Sequence, residues 1–409
     1  MNEDFTYDIL TDVRRRFAEE SSLNDETAER IITEAIFDDK RSIRMDDDVL
    51  SELAEKIFFK TRRRLGIISP LTEDDTVSEI MVNGPDCIFI ERNGNIERYP
   101  RAFDSVEELE EIMRNIAGDV HREISEMNPV VDARLADGSR VNGVHKNVAV
   151  GGPILTIRKF SEKYMRMSDL VANGTLPLEA AALLETLTEC GYNIFVSGGT
   201  SSGKTTLLNA LAEAIPPAER VIVIEDSMEL KLPYIDNIVH MECRNSNSSG
   251  KGQVTISGLI KTSLRMRPDR IIVGEVRGSE VADMLQAMNT GHSGSMSTGH
   301  GNSVSGMLRR LESMYLMAVS LDINAIRAQI AEGIDIMVHV ERMSAGVRKI
   351  TEIVEIEGYE DGHFMLRTLM TLNQNGELEP TGNKLKNDRK LYLKGGKNAA
   401  VLRQYGFVQ

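Results

Sequence analysis

Apolar residues recur at helical spacing among charged ones through the first 65 positions of the chain. Ile9 and Val13 stand four residues apart, with mostly polar residues between them. Leu50 and Leu53 stand three residues apart in a similar setting. Steps of three and four residues place side chains on one face of a helix. The pattern therefore predicts a helical N-terminal extension over residues 1–65.

The spacing changes between residues 66 and 160, where short apolar runs alternate with turn signals. Asn93-Gly94 separates the runs 88–90 and 96–99, and Asn-Gly between apolar runs is a strong hairpin signal. A helical pattern covers residues 106–117. The sequence thus predicts a small α+β domain over residues 66–160. Further strands are predicted over residues 131–135, 141–142 and 154–158.

Residues 161–174 are polar, end in Asn173-Gly174, and are predicted to be an interdomain linker. After them, strand-like apolar runs alternate with helical patterns, which is typical of a parallel sheet with crossover helices. The sequence therefore predicts an α/β domain over residues 175–409, in which no motif is recognised beyond residue 355. Its predicted strands cover residues 193–197, 221–225, 270–274 and 336–340.

The segment between the first of these strands and the next helix fits the pattern G-x-x-x-x-G-K-[ST]. Glycines permit backbone conformations that turn successive N–H groups toward phosphates, and the following helix presents its positive dipole end to the same anion. Lys204 is predicted to reach the β- and γ-phosphates, and Thr205 to offer a hydroxyl to Mg²⁺. ATP is therefore the expected ligand, with Mg²⁺ as its metal. The predicted nucleotide-binding residues are Gly198, Gly199, Thr200, Ser201, Ser202, Gly203, Lys204, Thr205 and Thr206.

Three acids follow two of the predicted strands and are candidates for holding Mg²⁺ or aligning the attacking water. Glu225 and Asp226 follow one apolar run, and Glu275 follows another. In doubly wound sheets, ligands lie beyond the carboxyl ends of strands, which is where these acids are expected. Glu225 and Glu275 are predicted as catalytic residues and, with Thr205, as metal ligands; a solvated loop acid is the alternative for Glu275. Four arginines surround Glu275, and some are expected to be plain surface charges: Arg265, Arg267, Arg270 and Arg277.

Two of the seven histidines, His292 and His300, lie in a run of Gly, Ser and Thr over residues 290–302. Such a run is expected as a loop close to a ligand. A metal site is one interpretation, although no Cys or acid in the run supplies further ligands. The other is a sensor of the γ-phosphate that couples hydrolysis to movement, and both histidines are predicted as functional.

The charge of the chain limits its partners. A formal net charge of −15 repels nucleic-acid phosphates and disfavours wholesale DNA or RNA binding. Cys87, Cys190 and Cys243 fit neither a disulfide framework nor a zinc pattern, which favours a reducing compartment. The first residues lack a signal-peptide pattern, and no stretch approaches the length of a membrane span, so a cytoplasmic protein is expected.

Two segments, 267–278 and 290–298, together resemble the type II/IV secretion ATPases, and among them the ATPases that assemble Tad pili. The resemblance covers residues 66–350 and includes four motifs in the correct order. It implies a RecA-like C-terminal ATPase domain, an N-terminal domain on a flexible linker, and a cytoplasmic homohexamer. It also implies a Mg²⁺-dependent ATPase that acts on inner-membrane platform proteins.

The resemblance assigns roles to residues of both domains. It places Glu225 in an Asp box over residues 224–230, identifies Glu275 as the Walker B glutamate, and places His292 and His300 in a His box. It also implies that arginines of the N-terminal domain approach the nucleotide as catalytic residues. These are Arg134, Arg140 and Arg158.

Three positions depart from the family pattern. Gly299 and Gly301 stand beside His300 where a larger residue and Ala are expected, which predicts a looser loop. Ser249 replaces an expected Glu in the low-complexity stretch 245–252, which is predicted to be a mobile loop. The four-Cys zinc insert of some members is absent, so no zinc is implied.

The leading hypothesis from the sequence is a mechanoenzyme in which ATP hydrolysis moves the N-terminal domain against the RecA-like core, for pilus assembly or protein secretion. A nucleic-acid translocase or helicase on the same core is the alternative, and the net charge disfavours it. A regulatory protein that binds nucleotide without sustained turnover is a third, which the presence of Lys204, Glu275 and the His-box residues disfavours.

Overall fold

The structure, a computed structural model, describes residues 3–20, 23–160, 164–244, 246, 251–343, 346–394 and 396–409. The chain divides into two compact units, Met1–Ser161 and Glu162–Gln409. Hydrophobic clusters form separately within each unit. The start of the predicted linker at 161–163 and most of the predicted mobile loop, including Ser249, lie outside the described residues.

The first unit begins with the helices predicted for residues 1–65. They are α1 (Glu3–Glu19), α2 (Asp25–Asp38) and α3 (Asp47–Arg62). Asn24 caps α2, because its side chain accepts a hydrogen bond from the Thr27 N–H at 2.7 Å. The apolar stripes of the three helices meet in one buried cluster, as their three- and four-residue spacing requires.

The helical extension and the α+β domain that the sequence predicts form one compact unit. Lys56 and Lys60 of α3 both pair with Asp104 of the α+β region. The guanidinium of Arg101 lies 5.6 Å from the centroid of the Phe59 ring of α3. The change of spacing near residue 65 therefore marks a change of secondary structure and leaves the packing continuous.

The α+β region is a six-stranded antiparallel sheet with one helix packed on its apolar face. Its elements are α4 (Ser69–Glu73), β1 (Val77–Asn83), β2 (Ile88–Arg92), β3 (Asn95–Arg98), α5 (Val106–Asp119), β4 (Val130–Arg134), β5 (Arg140–Val144) and β6 (Ile154–Arg158). The strand order is β3-β2-β1-β6-β5-β4. The hairpin predicted at Asn93-Gly94 joins β2 to β3, with φ values of 50° and 80° at the two turn residues.

The second unit is built on a nine-stranded sheet. Its strands are β7 (Ile194–Gly198), β8 (Val221–Glu225), β9 (Ile238–Glu242), β10 (Arg270–Val273), β11 (Met296–His300), β12 (Ile336–Arg342), β13 (Arg348–Glu360), β14 (His363–Leu372) and β15 (Leu378–Pro380). The strand order is β15-β14-β13-β12-β7-β11-β10-β8-β9. The part from β12 to β9 is parallel, as predicted, and β13 to β15 extend it by antiparallel pairing.

Helices cover both faces of this sheet and bury a separate apolar cluster on each. They are α6 (Met167–Ala172), α7 (Leu178–Glu189), α8 (Lys204–Ala212), α9 (Ile256–Ser263), α10 (Glu280–Asn289), α11 (Val304–Ala318), α12 (Ile323–Gly333), α13 (Arg389–Lys394) and α14 (Gly396–Gln404). The region after residue 355, in which the sequence shows no motif, continues the sheet and places Leu402 and Phe407 in one of the two clusters.

Two segments that the sequence predicts as irregular are regular. The second half of the predicted linker contains α6, and its Met167 and Leu170 are buried in the core. The run 290–302 contains β11, a central strand whose first four residues are buried. A central strand made of small residues lacks the β-branched signal on which strand prediction depends.

Candidate active site

The predicted phosphate loop connects β7 to α8. Gly203 has φ +98° and Ser201 has φ +56°, so both adopt the left-handed conformation. Gly198 lacks a side chain for another reason. A Cβ there would lie 2.3 Å from the carbonyl oxygen of Val340 and 2.5 Å from Ser202 Oγ. The loop therefore lies directly against β12.

Polar groups converge inside the loop. The Lys204 Nζ donates to the carbonyl oxygens of Gly199 at 2.8 Å and Gly198 at 3.3 Å, and the side chain is buried. Ser202 Oγ is buried without a hydrogen-bond partner in the part of the chain that the structure describes. A buried ammonium and an orphaned hydroxyl at a helix N-terminus are groups that a phosphate chain would satisfy.

His300 connects this loop to Glu275. Strand β11 runs parallel to β7 and places His300 opposite Gly198. Its Nε2 lies 2.8 Å from Glu275 Oε1, and its Nδ1 lies 3.3 Å from Lys204 Nζ. Because an ammonium can only donate, Nδ1 accepts and the ring proton lies on Nε2, which faces the carboxylate. Within the described residues, Glu275 Oε1 is buried and has no aligned hydrogen-bond donor. A neutral imidazole thus joins the lysine of the loop to Glu275.

The surroundings of His300 keep it neutral. Burial lowers the pKa of His300, and the Glu275 carboxylate opposes this effect. Three cations, Lys204, Arg277 and Arg310, add to the lowering. An uncharged imidazole at neutral pH agrees with the contacts that its two nitrogens make.

Arg277 bridges two acids at the same edge of the sheet. Its guanidinium lies 2.7 Å from Glu275 Oε2 and 3.1 Å from Asp226 Oδ2. Cys243 lies beside Asp226, and burial, followed by this carboxylate, raises the pKa of its thiol to about 11. Arg277 is therefore part of the candidate site, whereas the sequence offers no way to separate it from neighbouring surface arginines.

Glu225 anchors a loop. Its side chain is buried, and Oε1 accepts hydrogen bonds from the backbone N–H groups of Glu229 at 3.0 Å and Leu230 at 3.1 Å. Gly274 makes room for it, because a Cβ at that position would lie 2.9 Å from Glu225 Cγ. This geometry does not support the prediction of Glu225 as a catalytic acid and metal ligand. Its neighbour Asp226 lies beside Arg277 instead.

His292 is not brought to the phosphate loop. Strand β11 runs from Met296 toward the loop and ends at His300, so His292 precedes the opposite end of the strand. At a rise of about 3.3 Å per residue, the strand alone separates the two ends by roughly 13 Å. The Nδ1 of His292 lies 3.1 Å from the carbonyl oxygen of Ala287. Of the two histidines predicted as functional, His300 lies beside the phosphate loop and His292 does not.

Packing accounts for the small residues that precede β11. Arg270 is fully buried, where it pairs with Glu219 and donates to the carbonyl oxygen of Thr188 at 2.5 Å. A Cβ on Gly294, which has φ +87°, would lie 2.9 Å from the guanidinium carbon of Arg270. The glycine is therefore required by a buried ion pair and not by a ligand.

The glycines on either side of His300 are also packed tightly. A Cβ on Gly299 would lie 2.8 Å from Met307 Cε, and one on Gly301 would lie 3.0 Å from Met307 Cβ. The prediction of a looser loop is wrong, because the space of the expected larger side chains is occupied by Met307 of α11.

Known proteins are similar to this chain in sequence. Residues 61–370 match the family described as Type II/IV secretion system protein. The chain belongs to this family. The conjugal transfer protein TrbB of Rhizobium radiobacter is 33% identical over 71% of this chain and 87% of TrbB. The Type IV secretion system protein PtlH of Bordetella pertussis is 32% identical over 73% of this chain and 94% of PtlH.

The fold of this secretion-family chain is that of RecA-like ATPases. The solved structure of the Legionella pneumophila ATPase DotB is similar to it with a TM-score of 0.51, over 84% of this chain and 86% of DotB, at 19% identity. The family and the phosphate loop together make the chain an ATPase. Across the described residues, no helix is both long and apolar enough to cross a bilayer.

One residue beside the phosphate loop, Arg348, cannot be predicted from the sequence. Arg348 begins β13, and its Nε donates to the carbonyl oxygen of Ser201 at 3.1 Å. A Cβ on Gly203 would lie 3.1 Å from Arg348 Cδ, so the side chain covers the loop. Only the antiparallel pairing of β12 with β13 brings Arg348 to a loop so distant in sequence. A cavity of about 210 Å³ opens beside it, lined by Met165, Leu170, Asn173, Thr175, Leu207 and Val340 among others.

The start of the second unit contacts the loop after β8. The hydroxyls of Tyr164 and Tyr234 contact each other, and the ring centroids lie 5.8 Å apart at an angle of 78°. The guanidinium of Arg166 lies 5.5 Å from the Tyr234 centroid and 3.8 Å from Glu213, which follows α8. Residues that the sequence assigns to a linker therefore contact the loop that Glu225 anchors.

The arginines predicted from the family resemblance lie side by side in the first unit. Arg134 of β4 is paired with Arg140 of β5, which is paired with Arg158 of β6. Residues paired across adjacent strands project to the same face, with Cβ atoms about 4.5–5.5 Å apart. Like charges this close repel one another. Glu79 of β1 is paired with Arg158 in turn, so a carboxylate stands at the end of the row.

Proposed function

We propose that this ATPase is the motor of a Tad-type pilus or of a type II/IV secretion machine, and that it works as a homohexameric ring on inner-membrane platform proteins. The observation that carries the proposal is the chain of contacts from Lys204 through His300 to Glu275 and Arg277. It joins the group expected to meet the γ-phosphate to an arginine that also holds Asp226. A change at the phosphate would therefore reach the loop after β8.

ATP is the proposed substrate, and the cavity beside the phosphate loop is the proposed place for its adenine ring. Leu170, Leu207 and Val340 supply apolar walls for an aromatic base. Asn173 and Thr175 supply polar groups in the same cavity. The cavity adjoins Ser202 and Gly203 of the loop, which suits a base attached to a bound phosphate chain.

The residues of the site divide the chemistry between them. Lys204 offsets the negative charge of the β- and γ-phosphates, and Glu275 orients the attacking water. Arg277 donates to Glu275 Oε2 and thereby fixes the direction of that carboxylate, while His300 lies beside Oε1. Mg²⁺ takes oxygen ligands, so the Thr205 hydroxyl and the Glu275 and Asp226 carboxylates are the groups that would hold it, where it would neutralise phosphate oxygens.

We propose the ring because residues 198–206 of the phosphate loop contain no arginine, and the arginines nearest to it in the same unit are engaged, Arg348 with Ser201 and Arg277 with Glu275. In related NTPases, an arginine that offsets charge in the transition state raises the rate by on the order of 10³ to 10⁵. We assign this part to the row Arg134, Arg140 and Arg158 of a neighbouring subunit. A head-to-tail contact of this kind closes into a ring when its rotation closes.

Mixing two inactive variants tests the shared site. Lys204→Ala removes the phosphate-binding lysine, and Arg140→Ala removes one member of the row. Randomly mixed rings should recover roughly a quarter of the sites, because each of the two required neighbours is present with even odds. Arg98→Ala serves as the matched control, since Arg98 lies on the edge strand β3, away from the row, and this variant should be active alone.

Two results would contradict the ring. One is that no mixture regains activity with any of the three row arginines. The other is a specific activity that stays flat as the protein is diluted, because a site shared between subunits loses activity when the ring dissociates.

The partner is tested by the rate of ATP hydrolysis. Vesicles that contain a platform protein of the secretion machine should raise the rate, whereas protein-free vesicles should not. Stimulation by DNA, with no response to the platform protein, would favour the nucleic-acid translocase instead.

A further inference from the structure

A buried histidine on β12 takes no part in the chemistry described above. His339 is 2% exposed and lies opposite Ser197 in the parallel pairing of β12 with β7. Ser197 is itself fully buried and directly precedes Gly198, the first residue of the phosphate loop. Burying an imidazole is unfavourable unless its nitrogens are hydrogen-bonded, so the contacts of His339 indicate its role.

Both nitrogens of His339 have partners. Its Nδ1 lies 2.8 Å from Ser197 Oγ, and its Nε2 lies 3.3 Å from Glu341 Oε1. Because the carboxylate only accepts, the proton lies on Nε2, and Nδ1 accepts a hydrogen bond from the serine hydroxyl. The other acceptor near that hydroxyl, the carbonyl oxygen of Val338, is farther away at 3.3 Å. Glu352 of β13 and Lys204 of α8 also act on the imidazole electrostatically. The orientation of the ring is therefore fixed from both sides.

Gly198, the residue after Ser197, makes contacts to three other parts of the site. The carbonyl oxygen of Gly198 accepts from Lys204 Nζ at 3.3 Å and from the N–H of Gly301 at 3.3 Å. The α-carbon of Gly198 is packed against the carbonyl oxygen of Val340, the residue after His339. A shift of Gly198 would move the acceptor of the lysine and the start of the loop together.

We propose that His339 is a positioning residue for nucleotide binding, whose hydrogen bond to Ser197 holds the first turn of the phosphate loop in its binding conformation. The inference rests on the proposed function, because the loop must bind a nucleotide. It concerns the part of the loop that ADP and ATP share. His339 therefore acts on the affinity for both nucleotides, and not on the chemical step.

Strand packing alone does not require a histidine at this position. The backbone ladder already joins β12 to β7 from Ile336 to Val340. Met337 lies on the same strand, is fully buried, and is paired with Phe195 through purely apolar side chains. The polar pair formed by His339 and Ser197 is thus an addition to the ladder, located one residue before the loop begins.

The test compares His339→Leu, His339→Asn and Ser197→Ala by titration with fluorescent ADP and with a non-hydrolysable ATP analogue. Loss of one buried hydrogen bond should weaken the binding of both nucleotides roughly five- to tenfold in His339→Leu. Asn keeps a polar atom at the position of Nδ1, so His339→Asn should recover most of the affinity. Met337→Leu is the matched control in the core of β12, and it should change the melting temperature without changing either affinity.

A double-mutant cycle decides between positioning and packing. The effects of His339→Leu and Ser197→Ala should not add, because each removes the same hydrogen bond. Affinities within twofold of wild type in both single variants would overturn the proposal. So would additive losses, or a loss that His339→Asn fails to recover. If His339→Leu does not fold, Ser197→Ala and His339→Asn still decide the question. Failure of the wild-type protein to bind ADP would refute the nucleotide function itself.

Discussion

The glycine that opens the phosphate loop offers a direct test of the site. In Gly198→Ala the added Cβ would lie 2.3 Å from the carbonyl oxygen of Val340 and 2.5 Å from Ser202 Oγ. The first neighbour is backbone in the middle of a sheet and cannot rotate away. Either the loop or β12 must therefore move by roughly 1 Å, and overpacking of this kind typically costs about 1–3 kcal/mol.

The free-energy cost of Gly198→Ala should appear as weaker nucleotide binding, as a lower Tm, or as both. If the loop moves, nucleotide affinity falls, and 1–3 kcal/mol corresponds to roughly a 5- to 150-fold increase in Kd. If β12 moves, the folded state is destabilised, and each kcal/mol lowers the Tm of a domain of this size by about 2–4 °C. Fluorescent-ADP titration and thermal unfolding of the same preparation measure both, and their sum should equal the predicted cost.

Gly199→Ala is the matched control. A Cβ at Gly199 has no neighbour within 4 Å, and the phosphate-loop pattern allows any residue there. It should bind ADP and unfold much like the wild-type protein. If Gly198→Ala has the same ADP affinity and the same Tm as Gly199→Ala, the loop does not lie against β12 as described.

Three further predictions concern the chemistry, the pH response and the packing of the ATPase. Glu275→Gln should retain bound ATP while hydrolysis slows by on the order of a hundredfold or more, and prompt conversion to ADP would exclude Glu275 as the catalytic acid. Because burial lowers the pKa of His300, the unfolded chain binds its proton first as the pH falls below about 6.5, so stability should decrease from pH 7.5 to 5.5. His300→Asn should show a shallower decrease of Tm, and an unchanged slope would contradict this. Gly294→Ala should lower Tm strongly, because its Cβ would meet Arg270 at 2.9 Å in addition to the strain of a positive φ. Gly291→Ala has the same kind of backbone strain, with φ +101°, but no neighbour within 4 Å, so it should lower Tm less; equal losses would contradict the packing account.

The parallel core of the second unit is predictable because its strands are apolar on both faces. β8 and β10 are short runs of Val and Ile between turn signals, and a buried parallel strand has this pattern. β11 has a different composition, since Gly299 must fit against Phe195 and Met307. The composition of β11 is determined by contacts with residues that are distant in sequence, and these contacts cannot be predicted from local patterns.

The candidate site divides in the same way. Lys204 is fixed by a local pattern, because strand, loop and helix follow one another directly. The choice between His292 and His300 depends on which end of β11 meets the phosphate loop, and the choice between Glu225 and Asp226 depends on which side of a strand end faces it. The spacing of residues along the chain does not show which end or side of a strand faces the loop. Arg348 could not be predicted either, because only the antiparallel pairing of β12 with β13 brings it to the loop.

The cavity beside the phosphate loop determines where the chain can be truncated or joined to another N-terminal domain. Met165, Leu170 and Asn173 line one side of it, yet all three precede residue 175, where the sequence places the start of the catalytic domain. A fragment cut at that boundary would keep the phosphate loop and lose a wall of the cavity, together with Tyr164, which contacts Tyr234. The joining segment is therefore part of the catalytic module. An exchange of N-terminal domains between relatives, in the laboratory or in evolution, would preserve the nucleotide site only if the junction fell before Tyr164.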